Sequence, residues 1–100
     1  MPGLIVSVSH RLSQDDALRR IQAVIAQAKV QYSDKINDLS DSWKGYVGAF
    51  EVSGMGQKAS GTVAVNPSDV TVQITLPFSA SLFKSRIESA IRATLMRILA

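Results

Sequence analysis

The chain has 100 residues, of which 46% are hydrophobic and 19% charged, a balance that predicts one domain over 1–100 with a buried core and excludes an intrinsically disordered chain. It has no cysteine and a single histidine, which excludes disulfides, thiolate metal sites, thiol catalysis and paired histidine ligands. The net charge of +3 is too low to indicate nucleic-acid binding, and no apolar run approaches the roughly 20 residues of a membrane span, so we expect a cytoplasmic protein without a secretory signal.

The first two predicted elements are a strand and an amphipathic helix. Residues 4–9, "LIVSVS", form a short β-branched run that is typical of a strand. A helix is predicted at about 14–32, with Ser13 as its N-cap and Asp16 at the capping-box distance. Apolar side chains at three- and four-residue steps form a stripe that we expect to be buried: Leu18, Ile21, Val24, Ile25, Ala28 and Tyr32.

The middle of the chain changes to an alternating pattern of apolar and polar residues. This pattern predicts four strands, at about 36–43, 46–52, 59–65 and 70–76. Lys44 and Gly45 are predicted to form a two-residue turn, and "NPSD" at 66–69 a second turn. One face of the sheet is then apolar, whereas the other bears Thr62, Thr71, Gln73 and Thr75.

The last predicted element is a basic amphipathic helix. Pro77 ends the sheet because proline has no amide hydrogen to donate, and Ser79 or Ser81 is the expected cap of the helix. Its predicted buried stripe comprises Phe83, Ile87, Ala90, Ile91, Leu95 and Ile98. The predicted fold is therefore α+β, a two-layer sandwich of order β-α-β-β-β-β-α, with an antiparallel sheet and both helices packed on one face.

The stretch "GMGQKASG" at 54–61 has the glycine spacing of a nucleotide-binding loop. Gly54, Gly56 and Ala59 satisfy G-x-G-x-x-G/A, but a dinucleotide loop must open a helix, and strand-type residues follow here. A P-loop needs a lysine after its last glycine, where this chain has Thr62. We interpret the stretch as a β-turn with one glycine at positive φ and a second glycine that relieves crowding in the strand.

A run of aspartates at 34–45 invites comparison with a calcium loop. Ile36, Leu39 and Gly45 occupy positions where such a loop needs an oxygen ligand, a glycine and a bidentate glutamate. We therefore expect no metal site and no cofactor.

Seven residues are candidates for binding, and none is a candidate for catalysis by motif. His10 is either a lone general base or a residue that caps the first strand. Trp43 and Phe78 are either ligand platforms or packing residues. Four basic residues of the final helix form either a solvated face or a surface for an anionic or hydrophobic interface: Lys84, Arg86, Arg92 and Arg97.

The order of motifs resembles the polyhydroxyalkanoic acid system protein family, small bacterial proteins whose genes lie among those for storage polyester. The resemblance extends over nearly the whole chain, including "ALRRI" at 17–21 and "FEVSGMGQKASGTVAV" at 50–65. Its most specific residues are His10 with Leu12, Arg20 with Ile21, Trp43, Phe50, Gly56 and Gln57 with Gly61, and Leu76 with Pro77. No part of it is a catalytic signature.

Two functions remain open at this level. The resemblance implies an accessory protein of polyhydroxyalkanoate metabolism, acting at the granule surface or on granule proteins, and the lack of a catalytic constellation favours a non-enzymatic role. The alternative is a domain that binds an acyl chain or other hydrophobic ligand, or a small hydrolase, with a pocket between sheet and helices near Trp43 and Phe78 and His10 as its base. Nucleic acid is not an expected partner, whereas a homodimer is, through a sheet face that carries Val47, Ala49 and Ala64.

Overall fold

The computed structural model describes residues 3–31, 34, 38–54 and 56–100, and it confirms the predicted α+β fold. The elements in chain order are β1 (Gly3–Ser9), α1 (Gln14–Gln31), β2 (Asp38–Lys44), β3 (Val47–Gly54), β4 (Gln57–Val65), β5 (Asp69–Thr75), a 3₁₀ segment (Phe78–Phe83) and α2 (Lys84–Ile98). The predicted helical residue Tyr32 and the predicted strand residue Ile36 lie outside the described residues.

The five strands form one open antiparallel sheet in the order β1-β5-β4-β3-β2. Strands β2 to β5 follow one another as a meander, and β1 pairs with β5, so that β1 and β2 are the edges. Antiparallel sheets of this kind can cover one face and leave the other open.

The pairing register collects the apolar side chains on one face, as the alternation predicted. Val63 is opposite Val72, Val65 is opposite Val70, and Phe50 is opposite Gly61. The helices cover this face, and the buried core comprises Leu4, Val6, Ala17, Ile21, Val63, Val65, Val70, Val72, Leu76, Leu95 and Leu99. The other face, called the open face below, carries Thr62, Thr71, Gln73 and Thr75.

Helix α1 begins where the capping residue predicted. The Ser13 hydroxyl accepts a hydrogen bond from the amide of Asp16 at 3.1 Å, which satisfies one of the free amides of the first turn. Asp16 itself binds the guanidinium groups of Arg19 and Arg20. The side chain of Gln14 donates to the Val65 carbonyl at 2.8 Å and anchors the helix start to β4.

Two predicted boundaries are wrong. The turn between β2 and β3 is Gly45–Tyr46, one residue later than predicted, because Lys44 still pairs with Val47. Tyr46 therefore lies in the turn and not in β3, and its hydroxyl donates to Asp15 of α1 at 2.5 Å, a hydrogen bond that raises the pKa of Tyr46.

The start of the last helix also differs from the prediction. Neither Ser79 nor Ser81 caps it: Phe83 is the N-cap residue, and the Ser81 hydroxyl instead donates to the Phe78 carbonyl at 2.7 Å. A 3₁₀ segment has three residues per turn and not 3.6, so the buried stripe of α2 does not continue into it. Phe83 is accordingly exposed. Within α2, Ala90 is exposed as well, whereas Leu95 is buried and Ile87, Ile91 and Ile98 are half-buried.

Candidate functional site

The glycine-rich stretch forms the hairpin between β3 and β4. Gly56 has φ of +75°, and a Cβ atom at Gly61 would lie 2.2 Å from the Gln73 carbonyl oxygen. Both parts of the predicted reading are thus confirmed: one glycine makes the turn and the other permits a close approach between strands. The chain continues from Gly61 as strand β4, so no helix N-terminus is present there to receive a phosphate.

His10 is held by the protein through both ring nitrogens. The Leu12 amide donates to Nδ1 at 3.1 Å, so the hydrogen lies on Nε2, which donates to the Asn66 carbonyl at 3.1 Å. The His10 amide also donates to the Ser68 carbonyl at 2.9 Å, and the residue is only 8% exposed. His10 therefore ties the segment after β1 to the turn between β4 and β5, and this geometry leaves neither nitrogen directed at a substrate.

Trp43 packs at the edge of the sheet. It pairs with Gly48 across β2 and β3, and its indole lies so close to that residue that a Cβ atom there would be 2.7 Å from the ring. Its Nε1 donates to Asp41 at 2.8 Å, and Lys29 of α1 donates to the same carboxylate at 2.6 Å. The hydrogen bond from Lys29 is the main cause that lowers the pKa of Asp41, and the hydrogen bond from Trp43 lowers it further. The group ties the end of α1 to β2.

Phe78 belongs to an exposed apolar cluster in the 3₁₀ segment. Phe78 is 75% exposed, Leu82 88% and Phe83 51%. These three residues, called the apolar tip below, lie within six consecutive residues and directly precede Lys84 and Arg86. Large apolar side chains grouped on a surface and flanked by charges mark an interaction site more often than single exposed ones do.

The four basic candidates of α2 do not form a single patch. Lys84, Glu88 and Arg92 follow one another at four-residue steps on the side that contacts β1. Arg92 lies 3.8 Å from the Glu88 carboxylate and donates to the Ser7 carbonyl at 3.4 Å. Arg86 and Arg97 lie eleven residues apart, about three turns, on another, exposed side of the helix. Only Lys84 and Arg86 adjoin the apolar tip.

An apolar cavity of about 360 Å³ lies between α1, α2 and the covered face of the sheet. A second cavity of about 370 Å³ adjoins it, since both are lined by Phe50, Val52 and Ile74. The predicted pocket between sheet and helices is therefore present. The walls of the first cavity are aliphatic residues and Phe50, whereas Gln57 and Lys58 of the β3–β4 hairpin also line the second. None of His10, Trp43 and Phe78 lines either cavity.

The open face forms a separate, wide depression of about 880 Å³. Hydroxyl and amide side chains line it, among them Ser40, Ser60, Thr62 and Gln73, together with Lys84 and Glu88 at one side. Val47, Ala49 and Ala64 share this face by register, and Val47 is 51% exposed. The homodimer expected through this face stays a prediction.

The described residues offer neither a metal-binding cluster nor a helix that could span a membrane. Over 3–31, 34, 38–54 and 56–100, no group of three or more histidines, aspartates or glutamates is arranged to hold a metal ion. Neither α1 nor α2 is long and apolar enough to cross a membrane. Asp41, from the run once compared with a calcium loop, is engaged by Lys29 and Trp43.

Arg20 is a structurally important residue whose partners the sequence did not indicate. Its guanidinium donates to the main-chain carbonyls of Ile98 at 3.0 Å and Ala100 at 3.2 Å, which joins α1 to the end of α2. The partners lie 78 and 80 residues away and are backbone atoms, so no local side-chain pattern announces them.

Comparison with known proteins gives one family. No curated protein matches the chain. The model of a family described as "Putative polyhydroxyalkanoic acid system protein" matches residues 4–99, and this match spans every element from β1 to α2. The chain therefore belongs to the polyhydroxyalkanoic acid system protein family.

Proposed function

We propose that the protein is a non-enzymatic accessory protein of polyhydroxyalkanoate metabolism that binds the surface of storage-polyester granules through its apolar tip. The family match supports the metabolic context. The observation that carries the binding proposal is the exposure of Phe78, Leu82 and Phe83 beside Lys84 and Arg86.

The chemistry of this surface fits a polyester. Such a polymer presents alkyl groups, which favour contact with aromatic and aliphatic side chains, and ester carbonyl oxygens, which accept hydrogen bonds from lysine and arginine. Each large apolar side chain that becomes fully buried contributes up to about 3 kcal/mol. Three such side chains provide useful affinity without any enclosed pocket.

The position of the tip also favours this role. The tip residues make no part of the buried core. Leu76 before the 3₁₀ segment and Leu95 of α2 are buried in that core, and Ala80 is half-buried against it. The tip can therefore adsorb without opening the fold. An amphipathic helix that had to detach its own buried stripe would sacrifice core contacts to do so.

The test is sedimentation of the purified protein with protein-free polyester granules. We expect a variant with Phe78→Ser, Leu82→Ser and Phe83→Ser to lose most of its binding. The matched control replaces two other exposed apolar residues, Val30→Ser and Met96→Ser, which are 77% and 59% exposed and lie outside the tip. The proposal is wrong if the tip variant sediments as well as the control.

A further inference from the structure

The outer edge of β2 is unpaired in the described part of the chain. β2 is the last strand in the sheet order, and among the described residues it pairs only with β3. The other edge strand differs, because α2 contacts β1 and Arg92 donates to the Ser7 carbonyl of β1 at 3.4 Å. An unpaired edge presents free amide and carbonyl groups, which can pair with a strand of another chain. Of the two edges, β2 is therefore the better suited to such pairing.

The main-chain bonds of β3 show which residues of β2 face outward. The Tyr46 carbonyl accepts a hydrogen bond from the Val65 amide at 2.8 Å, so the main-chain groups of Tyr46 point toward β4. Main-chain groups alternate in direction along a strand, so those of Val47, and of every second residue after it, point toward β2. Their partners in β2 are Lys44, Ser42, Ser40 and Asp38. The residues between these partners therefore direct their main-chain groups away from the sheet: Leu39, Asp41 and Trp43.

The sequence of β2, "DLSDSWK", is complementary to itself when two copies run antiparallel. With Asp41 at the centre, Leu39 lies opposite Trp43 of the second copy. Both are half-buried side chains of the covered face. Asp38 lies opposite Lys44 of the second copy, and both are exposed on the open face. Opposite charges and matched apolar side chains in directly opposed positions stabilise a strand pair.

The same register satisfies the main-chain geometry. Leu39, Asp41 and Trp43 meet the same three residues of the second copy, and each opposed pair exchanges two hydrogen bonds. Asp38 and Lys44 take the positions without hydrogen bonds, where opposed Cα atoms are about 4.5 Å apart and not about 5.5 Å. The attracting charges thus occupy the closer positions. A shift of two residues in either direction would remove both charge pairs.

The central residue, Asp41, lies opposite its own counterpart in this arrangement. Two like charges would repel, but each carboxylate is already bound within its own chain by Lys29 at 2.6 Å and by the Trp43 indole at 2.8 Å. The opposed Asp41 residues also take the more widely spaced positions. The ion pair with Lys29 therefore offsets the repulsion at the centre.

We propose that β2 pairs with β2 of a second copy of this chain, antiparallel and centred on Asp41, and so joins two five-stranded sheets into one continuous sheet. The two-fold axis is then perpendicular to the sheet, and the helices of both copies lie on the same side. This inference does not rest on the proposed function. The two apolar tips lie at opposite ends of the joined sheet, and we expect one tip to bind granules with or without the dimer.

The test is analytical ultracentrifugation of the full chain from about 5 to about 500 µM, a range that brackets the dissociation constant of roughly 10–100 µM that we expect for an interface below the standard size. We expect a reversible equilibrium between monomer and dimer. A chain that stays monomeric over this range would overturn the proposal.

An exchange of charges locates the interface. Asp38→Lys and Lys44→Asp each place like charges opposite one another at two symmetric positions, and we expect each to weaken the dimer roughly tenfold or more. The double variant Asp38→Lys, Lys44→Asp restores the attraction and should dimerise as the wild type does. The control Lys58→Asp makes the same change of charge at a 72% exposed residue of β4 and should not weaken the dimer. A double variant that dimerises no better than the single ones would contradict the register.

Hydrogen exchange measures the main-chain bonds directly. The amides of Leu39, Asp41 and Trp43 point outward, so they should exchange rapidly in dilute solution and slowly at concentrations at which the dimer forms. The amides of Ser40 and Ser42 face β3 in either state and serve as the internal reference. A dimer that protects none of the three outward amides would have its interface elsewhere, and the proposal would be wrong.

Thr62→Lys distinguishes the edge from the open face. Thr62 is exposed in the middle of the open face, so a lysine there should prevent packing of two such faces and leave the edge free to pair. Loss of the dimer in this variant, with no effect of the charge exchange, would assign the dimer to the open face and overturn the proposal. Lys44→Asp should still sediment with polyester granules, so failure of the dimer and failure of granule binding are distinguishable.

Discussion

Gly61 is a residue at which a single added methyl group meets the backbone of a neighbouring strand. A Cβ atom there would lie 2.2 Å from the Gln73 carbonyl oxygen and 2.7 Å from the Phe50 ring. Gly56, by contrast, has open space around it and is constrained only by its positive φ of +75°. The two glycines of one hairpin are thus required for different physical reasons.

This difference predicts two stability costs. Gly61→Ala should lower the free energy of unfolding by about 3 kcal/mol, because β4 must move away from β5 to relieve the overlap. Gly56→Ala should lower it by about 1 kcal/mol, the cost of a left-handed conformation for alanine. Urea unfolding of both variants measures these values. Equal costs would show that the close contact at Gly61 is not what requires glycine.

Asp41 predicts a dependence of stability on pH. Its pKa in the folded protein is lowered below the ordinary value of 3.8 by Lys29 and Trp43. A carboxyl group with a lowered pKa stabilises the fold above its unfolded pKa, and this contribution is lost as the pH falls through the folded pKa. The contribution should therefore be complete near neutral pH and disappear in the acid range.

The variant Asp41→Asn measures that contribution. We expect it to be less stable than the wild type by about 1 kcal/mol at neutral pH, and the difference to shrink as the pH is lowered below about 4. Asp38→Asn, on the same strand but exposed, is the control. A stability difference that stays constant down to about pH 2 would contradict the assigned ion pair.

Among the elements, the two helices differ in how well their sequence predicted them. The start of α1 depends on Ser13 and its neighbours, which are adjacent in sequence, so the cap was predictable and is confirmed. The start of α2 depends on a 3₁₀ segment stabilised by local bonds such as the Ala80 amide to the Pro77 carbonyl. A change from 3.6 to three residues per turn leaves no clear mark on the hydrophobic pattern, so Phe83 was wrongly placed in the core.

The attachment of one helix to the other depends on Arg20. Arg20→Gln should lower the free energy of unfolding by about 1–2 kcal/mol, because two carbonyls near the end of α2 lose a charged donor. Arg19→Gln removes only an exposed contact with Asp16 and should cost less than about 0.5 kcal/mol. Hydrogen exchange provides a second measure: the amides of the last turn of α2 should lose protection in the Arg20 variant alone. Unchanged protection there would show that Arg20 does not join the helices.

At the scale of the whole molecule, the sequence predicted the sheet better than the functional surfaces. Strand order and faces follow from alternation and turns, which is why the apolar face of Val63, Val72 and Phe50 was correctly placed. The apolar cavities depend on how far the helices lie from each other, and the separation of the basic residues into two groups depends on which side of α2 contacts β1. Both are consequences of tertiary packing, and no local motif encodes them.

The distribution of charge and exposed apolar groups predicts how granule binding responds to salt. The double variant Lys84→Gln, Arg86→Gln should sediment less with granules at low ionic strength. The control Arg11→Gln, Lys44→Gln loses the same two charges at exposed residues and should sediment as the wild type does. Binding of the wild type should persist in part at about 1 M salt, because the contribution of the apolar tip is not screened. Complete loss of wild-type binding in salt would assign the affinity to charge alone.

The most direct test of the central claim is the position of the fluorescently labelled protein in polyester-accumulating bacterial cells, with and without polymer. The account predicts that the wild-type protein is recruited to granules when polymer is present and is dispersed when it is absent. The variant with Phe78→Ser, Leu82→Ser and Phe83→Ser should be dispersed in both cases, while the control with Val30→Ser and Met96→Ser should follow the wild type. A wild-type protein that stays dispersed in cells full of polymer, or a tip variant that is still recruited, would contradict the claim that the apolar tip binds the granule surface.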